Sequence, residues 1–391
     1  MSNTEDKNVI VLENLENTIK NLNKKEFTMY FFVVDSRNTP NGNMEYIYRL
    51  AKTLQDKGYN IKMVYQLENE YTEEEIQTLE DKNEIIDENR KFIGVTDWLG
   101  EEFKTLEHLN ISTNEWKISP SDFLFIPEVF SSLMFQTFKH HITCKRYVIL
   151  QNYNYVTEFI PLGVQWANYG ISDVIVNTPY NEQQIKEVFP YVKTKLIQPC
   201  ITNQFRKPLL EKKLIVNIIT KKQSDINRII KPFYWKYPIY NFISFRDVRN
   251  FPKEQYSELL KEGAITIWVD TETPFGYSAL EAMRCGNIVI GKVPENIPEW
   301  MGDENKLYDN GIWFYNINDV PDILAKVLGS WLQDEIPQVL IDNMEETNKK
   351  YTYEEWDKNV TETFEKIISE RISELTSFYN TVKIKNKQTN K

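Results

Sequence analysis

The sequence predicts an α/β protein of two domains, each built on a parallel sheet. Three observations carry this. Residues 261–290 read as a buried strand, a turn, a helix and a second buried strand, the βαβ unit of a parallel sheet. Residues 27–65 repeat that order with an apolar run, a turn cluster, an amphipathic helix and another apolar run. The 391 residues, 41% of them hydrophobic, suffice for two cores of ordinary size, and the proline-bearing, aperiodic stretch 197–208 lies between them.

Taken in order, residues 1–26 are polar with weak helical spacing and are expected to form an accessory helix. Residues 27–35, β-branched and aromatic, suit a buried parallel strand. The turn cluster SRNTPNGN (36–43) leads into a helix closed by Gly58 and a strand over 60–65. No G-x-G-x-x-G accompanies this opening, so a dinucleotide fingerprint is missing. Its loop, with Gly42 and Asn43, is either a tight connection or a ligand-facing turn. Residues 68–91 are dense in charge and read as a solvated helix or excursion. The next strands are DFLFI (122–126), RYVIL (146–150) and DVIVN (173–177), the last followed by a helix. Glu128 follows the first of these and Asn152 the second, so both stand where a parallel sheet presents its ligand-facing edge. The first domain is expected over 27–208.

The second domain, over 209–350, opens with the strand KLIVNIIT, then Lys221, Lys222 and a helix carrying Arg228. A strand at 240–245 and a helix at 251–263 precede the central unit. A loop with a short helix (293–306), a strand (311–315) and a helix (320–331) follow it. Residues 351–391 should form a terminal helix with a basic, frayed tail.

Composition removes several functions. A net charge of −11 argues against a generic nucleic-acid binder. Three cysteines (Cys144, Cys200, Cys285), none in a C-x-x-C pair, point to a reducing compartment without a zinc site. The amino terminus lacks a basic and apolar leader, and no apolar run nears the ~20 residues a membrane helix needs, so a cytoplasmic protein is expected. P-loop, G-x-S-x-G and H-E-x-x-H signatures are absent. The three histidines (His108, His140, His141) do not fall at the ends of expected strands.

Within the central unit, the turn at 271–277 offers free backbone N–H groups and a helix amino terminus, a setting for an anion such as a diphosphate. Gly276 lets the backbone approach a ligand closely. Glu281, one turn further on, either accepts from two neighbouring hydroxyls, as on a ribose, or pairs with Arg284 on a wet face. Asp270 and Glu272 also imitate a D-x-D motif, which would hold a hard cation.

Phe275, Gly276, Leu280, Glu281, Ala282, Met283 and Gly286 stand in the register of a known motif. In it, one Glu and a second eight positions later enclose Phe-Gly, and Glu-Ala-Met-x-x-Gly closes the pattern. This resembles the nucleotide-sugar motif of GT-B glycosyltransferases, above all glycosyltransferase family 4. The likeness is specific over 254–292, weaker at 197–208, and departs at Thr273, where the family has its first Glu. It implies two Rossmann-like domains with parallel sheets facing across a cleft, and retaining transfer of a sugar from a UDP- or GDP-linked donor to a hydroxyl acceptor. It further implies a ribose on Glu281 and a diphosphate beside Thr273, Pro274, Phe275, Gly276, Tyr277 and Ser278, with Lys221, Lys222 and Arg228 as the basic grip. Gly42 and Asn43 would face the acceptor, and Glu128 and Asn152 are the polar groups best placed to take part in catalysis. No metal and no organic cofactor are expected, because the turn and helix account for phosphate binding. A nucleic-acid acceptor is conceivable by the same resemblance, though no feature selects it. A non-catalytic nucleotide-sugar-binding relative and a nucleotide-sugar epimerase are the alternatives.

Overall fold

The computed structural model describes residues 2–35, 40–65, 78, 81, 97–111, 116–249, 251–271, 275–303 and 305–389. Seven strands form the first sheet: β1 (Thr28–Val33), β2 (Asn60–Tyr65), β3 (Glu107–Asn110), β4 (Phe123–Pro127), β5 (Lys145–Leu150), β6 (Asp173–Val176) and β7 (Lys193–Leu196). Five form the second: β8 (Lys213–Thr220), β9 (Ser244–Asp247), β10 (Gly263–Val269), β11 (Ile288–Lys292) and β12 (Ile312–Phe314). The orders are β3-β2-β1-β4-β5-β6-β7 and β12-β11-β10-β8-β9, and every pairing is parallel. Central strands such as β4 and β10 are buried along their whole length, which is why their sequences run apolar without alternation.

Each sheet reverses its winding once. In the first, the chain leaves β1 for β2 on one side and later returns to β4 on the other. In the second, β8 is flanked by β9 and β10. A parallel sheet leaves a crevice at the carboxyl ends of the strands where the winding reverses, because the two flanking connections diverge to opposite faces. The loops at these two crevices supply the site described below.

The chain crosses between the domains twice. Ile197 and Cys200 pack in the first core, whereas Ile201 and Phe205 pack in the second. On the return, Tyr351 belongs to the second core, and Trp356, Val360, Phe364 and Ile367 are buried in the first. The two crossings touch: the Ile201 N–H donates to the Tyr351 carbonyl at 2.8 Å. The helix Tyr353–Thr389 lies on the first domain and runs through most of the tail expected to fray. Helix Ser2–Asn23 packs beside it.

Two expectations need correction. The strand placed at 240–245 is Ser244–Asp247, because Pro238 opens a short 3₁₀ turn, Pro238–Tyr240, that stacks Tyr240 on Phe233. The short helix within 293–306 is a series of turns, which Pro294, Pro298 and Gly302 (φ 120°) account for. The charged stretch at 68–91 lies almost wholly outside the described residues.

Candidate functional site

A cleft of about 650 Å³ opens between the two switch points. From the first domain come Gly42, Asn43 and Glu45, at the start of helix Gly42–Asp56, and Asn152 after β5. From the second come Lys221 after β8, Asp270 after β10, and Phe275, Tyr277 and Ser278 of the bend that turns at the buried Gly276, with Glu281 in the helix behind it.

The bend is held in one shape. Phe275 is buried and its carbonyl accepts from the indole Nε1 of Trp300 at 2.6 Å. Gly276 then turns into the left-handed region (φ 78°, ψ 45°) and caps helix Tyr277–Arg284 without a side-chain acceptor. A Cβ at Gly276 would stand 2.9 Å from the Trp300 ring, so only glycine fits. The amide-rich amino end of the helix therefore faces the cleft, the arrangement that attracts an anion. Tyr277 reaches the opposite domain: a Cβ built on Gly42 lies 3.7 Å from its ring.

Glu281 is 6% exposed and lines the cleft. It is not paired with Arg284, which donates instead to Asn203 Oδ1 at 3.0 Å. Its nearest cation is Lys253, Nζ 3.9 Å from Oε1, and the buried hydroxyl of Tyr256 beside it also favours the ionised form. Burial pushes the Glu281 carboxyl up to about 7 despite Lys253, and the charge on Glu45 adds to the rise. A buried carboxylate with so few donors is costly until something supplies them. Hydroxyl groups entering the cleft are such donors.

Lys253 is drawn mainly toward the other domain. Its ammonium is ion-paired with Glu45, which Arg49 also holds at 2.9 Å. Burial opposes the charge on Glu45, yet Lys253 and Arg49 outweigh it and keep this carboxyl well below the usual range.

Comparison with solved structures bears on the architecture. Sucrose-phosphate synthase from Thermosynechococcus elongatus superposes with a TM-score of 0.58 at 11% identity, over 88% of this chain and 99% of that one. The pneumococcal O-GlcNAc transferase GtfA, solved with UDP and GlcNAc, gives 0.56 at 9% identity over 88% and 99%. Anabaena HepE, solved with UDP-glucose, gives 0.55 at 12% over 87% and 99%. The fold is GT-B. No protein-family model and no curated protein matches the sequence.

Within this GT-B frame the expected residues divide. Gly42, Asn43, Asn152, Lys221, Phe275, Tyr277, Ser278 and Glu281 line the one cleft. Lys222 and Arg228 do not; with Lys292 they line an adjoining 320 Å³ pocket, and Lys221 stands in the wall of both. Arg228 donates to Asn318 Oδ1 at 3.1 Å. Thr273 and Pro274, with Glu272, lie outside the described residues. Asp270 pairs with Lys221 at 3.4 Å, and among the described residues no cluster of three His, Cys, Asp or Glu could hold a metal ion.

Glu128 does not line the cleft. It is 1% exposed, and its Oε1 accepts from the N–H groups of Gln151 (3.1 Å) and Asn152 (2.8 Å), tying the end of β4 to the loop after β5. Burial raises its carboxyl to about 7 against those donors. Asn152 itself caps helix Tyr153–Phe159, its Oδ1 accepting from the Asn154 N–H at 3.0 Å. Glu128 thus positions Asn152. His108 is half-buried with a 3.1 Å contact to the Tyr48 hydroxyl, and His140 and His141 are exposed at a helix end. Sequence reasoning missed Glu45, Lys253 and Arg249. Arg249 also lines the cleft, just beyond β9, and placing that strand at 240–245 hid its strand-end position.

Proposed function

We propose that this protein is a retaining glycosyltransferase that moves a sugar from a nucleoside-diphosphate donor, UDP- or GDP-linked, to a hydroxyl acceptor. One observation carries the reading: the buried Glu281 carboxylate, short of donors, faces a cleft whose neighbouring bend presents a helix amino terminus. A pentose would give Glu281 its missing donors, and the diphosphate would rest on the Gly276–Tyr277 backbone with Lys221 beside it. Two GT-B neighbours support this donor class, since GtfA was solved with UDP and GlcNAc and HepE with UDP-glucose.

Among the described residues the carboxylates lining the cleft are engaged by cations, Glu45 and Glu281 by Lys253 and Asp270 by Lys221, so retention suits a front-face course. The bond from the sugar's anomeric carbon to the diphosphate oxygen lengthens while the acceptor oxygen approaches from the same side. That departing oxygen then takes the acceptor's proton. The chain's part is to stabilise charge on the leaving diphosphate through Lys221 and the helix terminus, and to orient the acceptor from the Gly42–Asn43 loop and Asn152. Closing the cleft excludes water, which otherwise intercepts the donor.

A non-catalytic relative is the second reading, favoured by two observations: among the described residues no histidine lines the cleft, and Thr273 stands where the resembled motif has its first Glu. Incubating the protein with a panel of UDP- and GDP-sugars separates the two. Transfer, or donor hydrolysis without acceptor, supports the enzyme; tight donor binding with neither supports the binder.

A further inference from the structure

At the floor of the cleft, two carboxylates from opposite domains share one ammonium. Glu45, Lys253 and Glu281 are each about nine-tenths buried at the side chain, at 10%, 10% and 8% exposure. Glu45 comes from the helix that follows the acceptor-side loop, and Glu281 from the helix that follows the bend. Lys253 begins helix Lys253–Glu262 of the second domain, yet its close partner is Glu45, while Glu281 is left at 3.9 Å.

We propose that Glu45 and Lys253 are positioning residues for the pentose-binding carboxylate, and that Glu45 acts by competing with Glu281 for Lys253 across the domain boundary. The inference rests on the reading of Glu281 given above and goes beyond it by assigning control of the second domain's site to a side chain of the first. The physical basis is Coulombic. In a buried setting one cation cannot fully neutralise two carboxylates, so the better-served one ionises readily and the other is held back. Arg49, at 2.9 Å, serves Glu45 alone among the two at hydrogen-bonding distance, which tips the balance toward Glu45. The other groups acting on Glu281 are Arg49, a cation on the Glu45 helix that also favours its ionised form, Tyr256 on the Lys253 helix and Cys285 beside its own helix. Burial pushes the last two up, so both are neutral near pH 7, as are Tyr277 and Cys200, which lie against Glu45 and are pushed up likewise.

The consequence is a pair of opposite shifts. Removing the charge on Glu45 releases Lys253 to Glu281, so Glu281 ionises at lower pH. Removing the charge on Lys253 leaves Glu281 harder to ionise. Because a carboxylate accepts two hydroxyls and its protonated form accepts poorly, nucleotide affinity should follow Glu281's ionisation.

The test is isothermal titration of UDP and of GDP into the full chain between pH 5.5 and pH 8.5, for the wild type and for Glu45→Gln, Lys253→Met and Glu281→Gln. Each variant is first checked for an unchanged cooperative melt, and Lys253→Gln replaces Lys253→Met where the latter melts early. Glu281→Gln supplies the baseline, because any remaining pH dependence belongs to the diphosphate. Relative to that baseline, the pH at which affinity falls tenfold should move down in Glu45→Gln and up in the Lys253 variant. Shifts in the same direction, or affinity losses with no movement along pH, would overturn the competition. An unchanged affinity in Glu281→Gln would instead overturn the pentose assignment on which it stands, as would wild-type protein binding neither nucleotide.

Discussion

The indole of Trp300 donates a 2.6 Å hydrogen bond to the carbonyl of Phe275, and its ring closes over Gly276. Together these contacts make the bend a rigid cradle. Gly276→Ala would place a Cβ 2.9 Å from Trp300 in a backbone region alanine resists. The expected cost is about 1–3 kcal/mol of stability, with at least tenfold weaker nucleotide binding. Urea denaturation and titration calorimetry check the two effects. A fully stable variant with unchanged affinity would remove the bend from the site.

Glu281→Ala should lower nucleotide affinity roughly tenfold to a hundredfold while leaving the melt unchanged or raised. The second half follows from the sign of its ionisation. Burial favours the protonated form in the folded chain, so removing a poorly served carboxylate above pH 7 relieves a cost rather than adding one.

Glu128 gives a separable pH effect. Its carboxyl rises from the ordinary 4.5 to about 7 on folding, so between those values the folded state holds a proton that the unfolded state has lost. Stability from this group is therefore fully present below about pH 4.5 and lost as pH rises through 7. Glu128→Gln should flatten that part of the stability curve. It should also reduce turnover through kcat rather than through donor affinity, because the strand-end tether to Asn152 loosens. Denaturation midpoints across pH, with kcat and KM measured separately, test this.

How much of this was legible beforehand depended on separation along the chain. Gly276 and Glu281 sit within one contiguous motif, so their types and spacing announced the bend and the carboxylate. Glu45 and Lys253 are 208 positions apart, and no local pattern marks a pair that only domain packing creates. Glu128 was placed at a strand end from its sequence, but whether a strand-end carboxylate turns outward or back onto the backbone is decided by neighbours such as the Asn152 N–H. Strands β3 (EHLN) and β7 (KTKL) were not foreseen because edge strands need no apolar run. The two doubly flanked strand pairs at the switch points were foreseen because they do.

Metal chemistry offers another check. Asp270 is engaged by Lys221 at 3.4 Å, so the account expects turnover to survive EDTA. Loss of turnover restored by Mn²⁺ would move Asp270 and Glu272 into a cation site.

The returning helix should be structural for the first domain. Trp356 is 2% exposed, donates to Thr53 Oγ1 at 2.9 Å and meets Tyr46 edge-on. Trp356→Ala should cost roughly 3–5 kcal/mol, read as an earlier denaturation midpoint.

The central claim is that Glu281 grips a donor's pentose while the Gly276 bend receives its diphosphate. A crystal structure of the protein soaked with UDP or GDP tests this most directly. The account predicts both pentose hydroxyls at about 2.5–3.0 Å from the Glu281 carboxylate, with diphosphate oxygens on the amides at Gly276–Tyr277. A nucleotide bound elsewhere, or one whose pentose leaves Glu281 untouched, would contradict it.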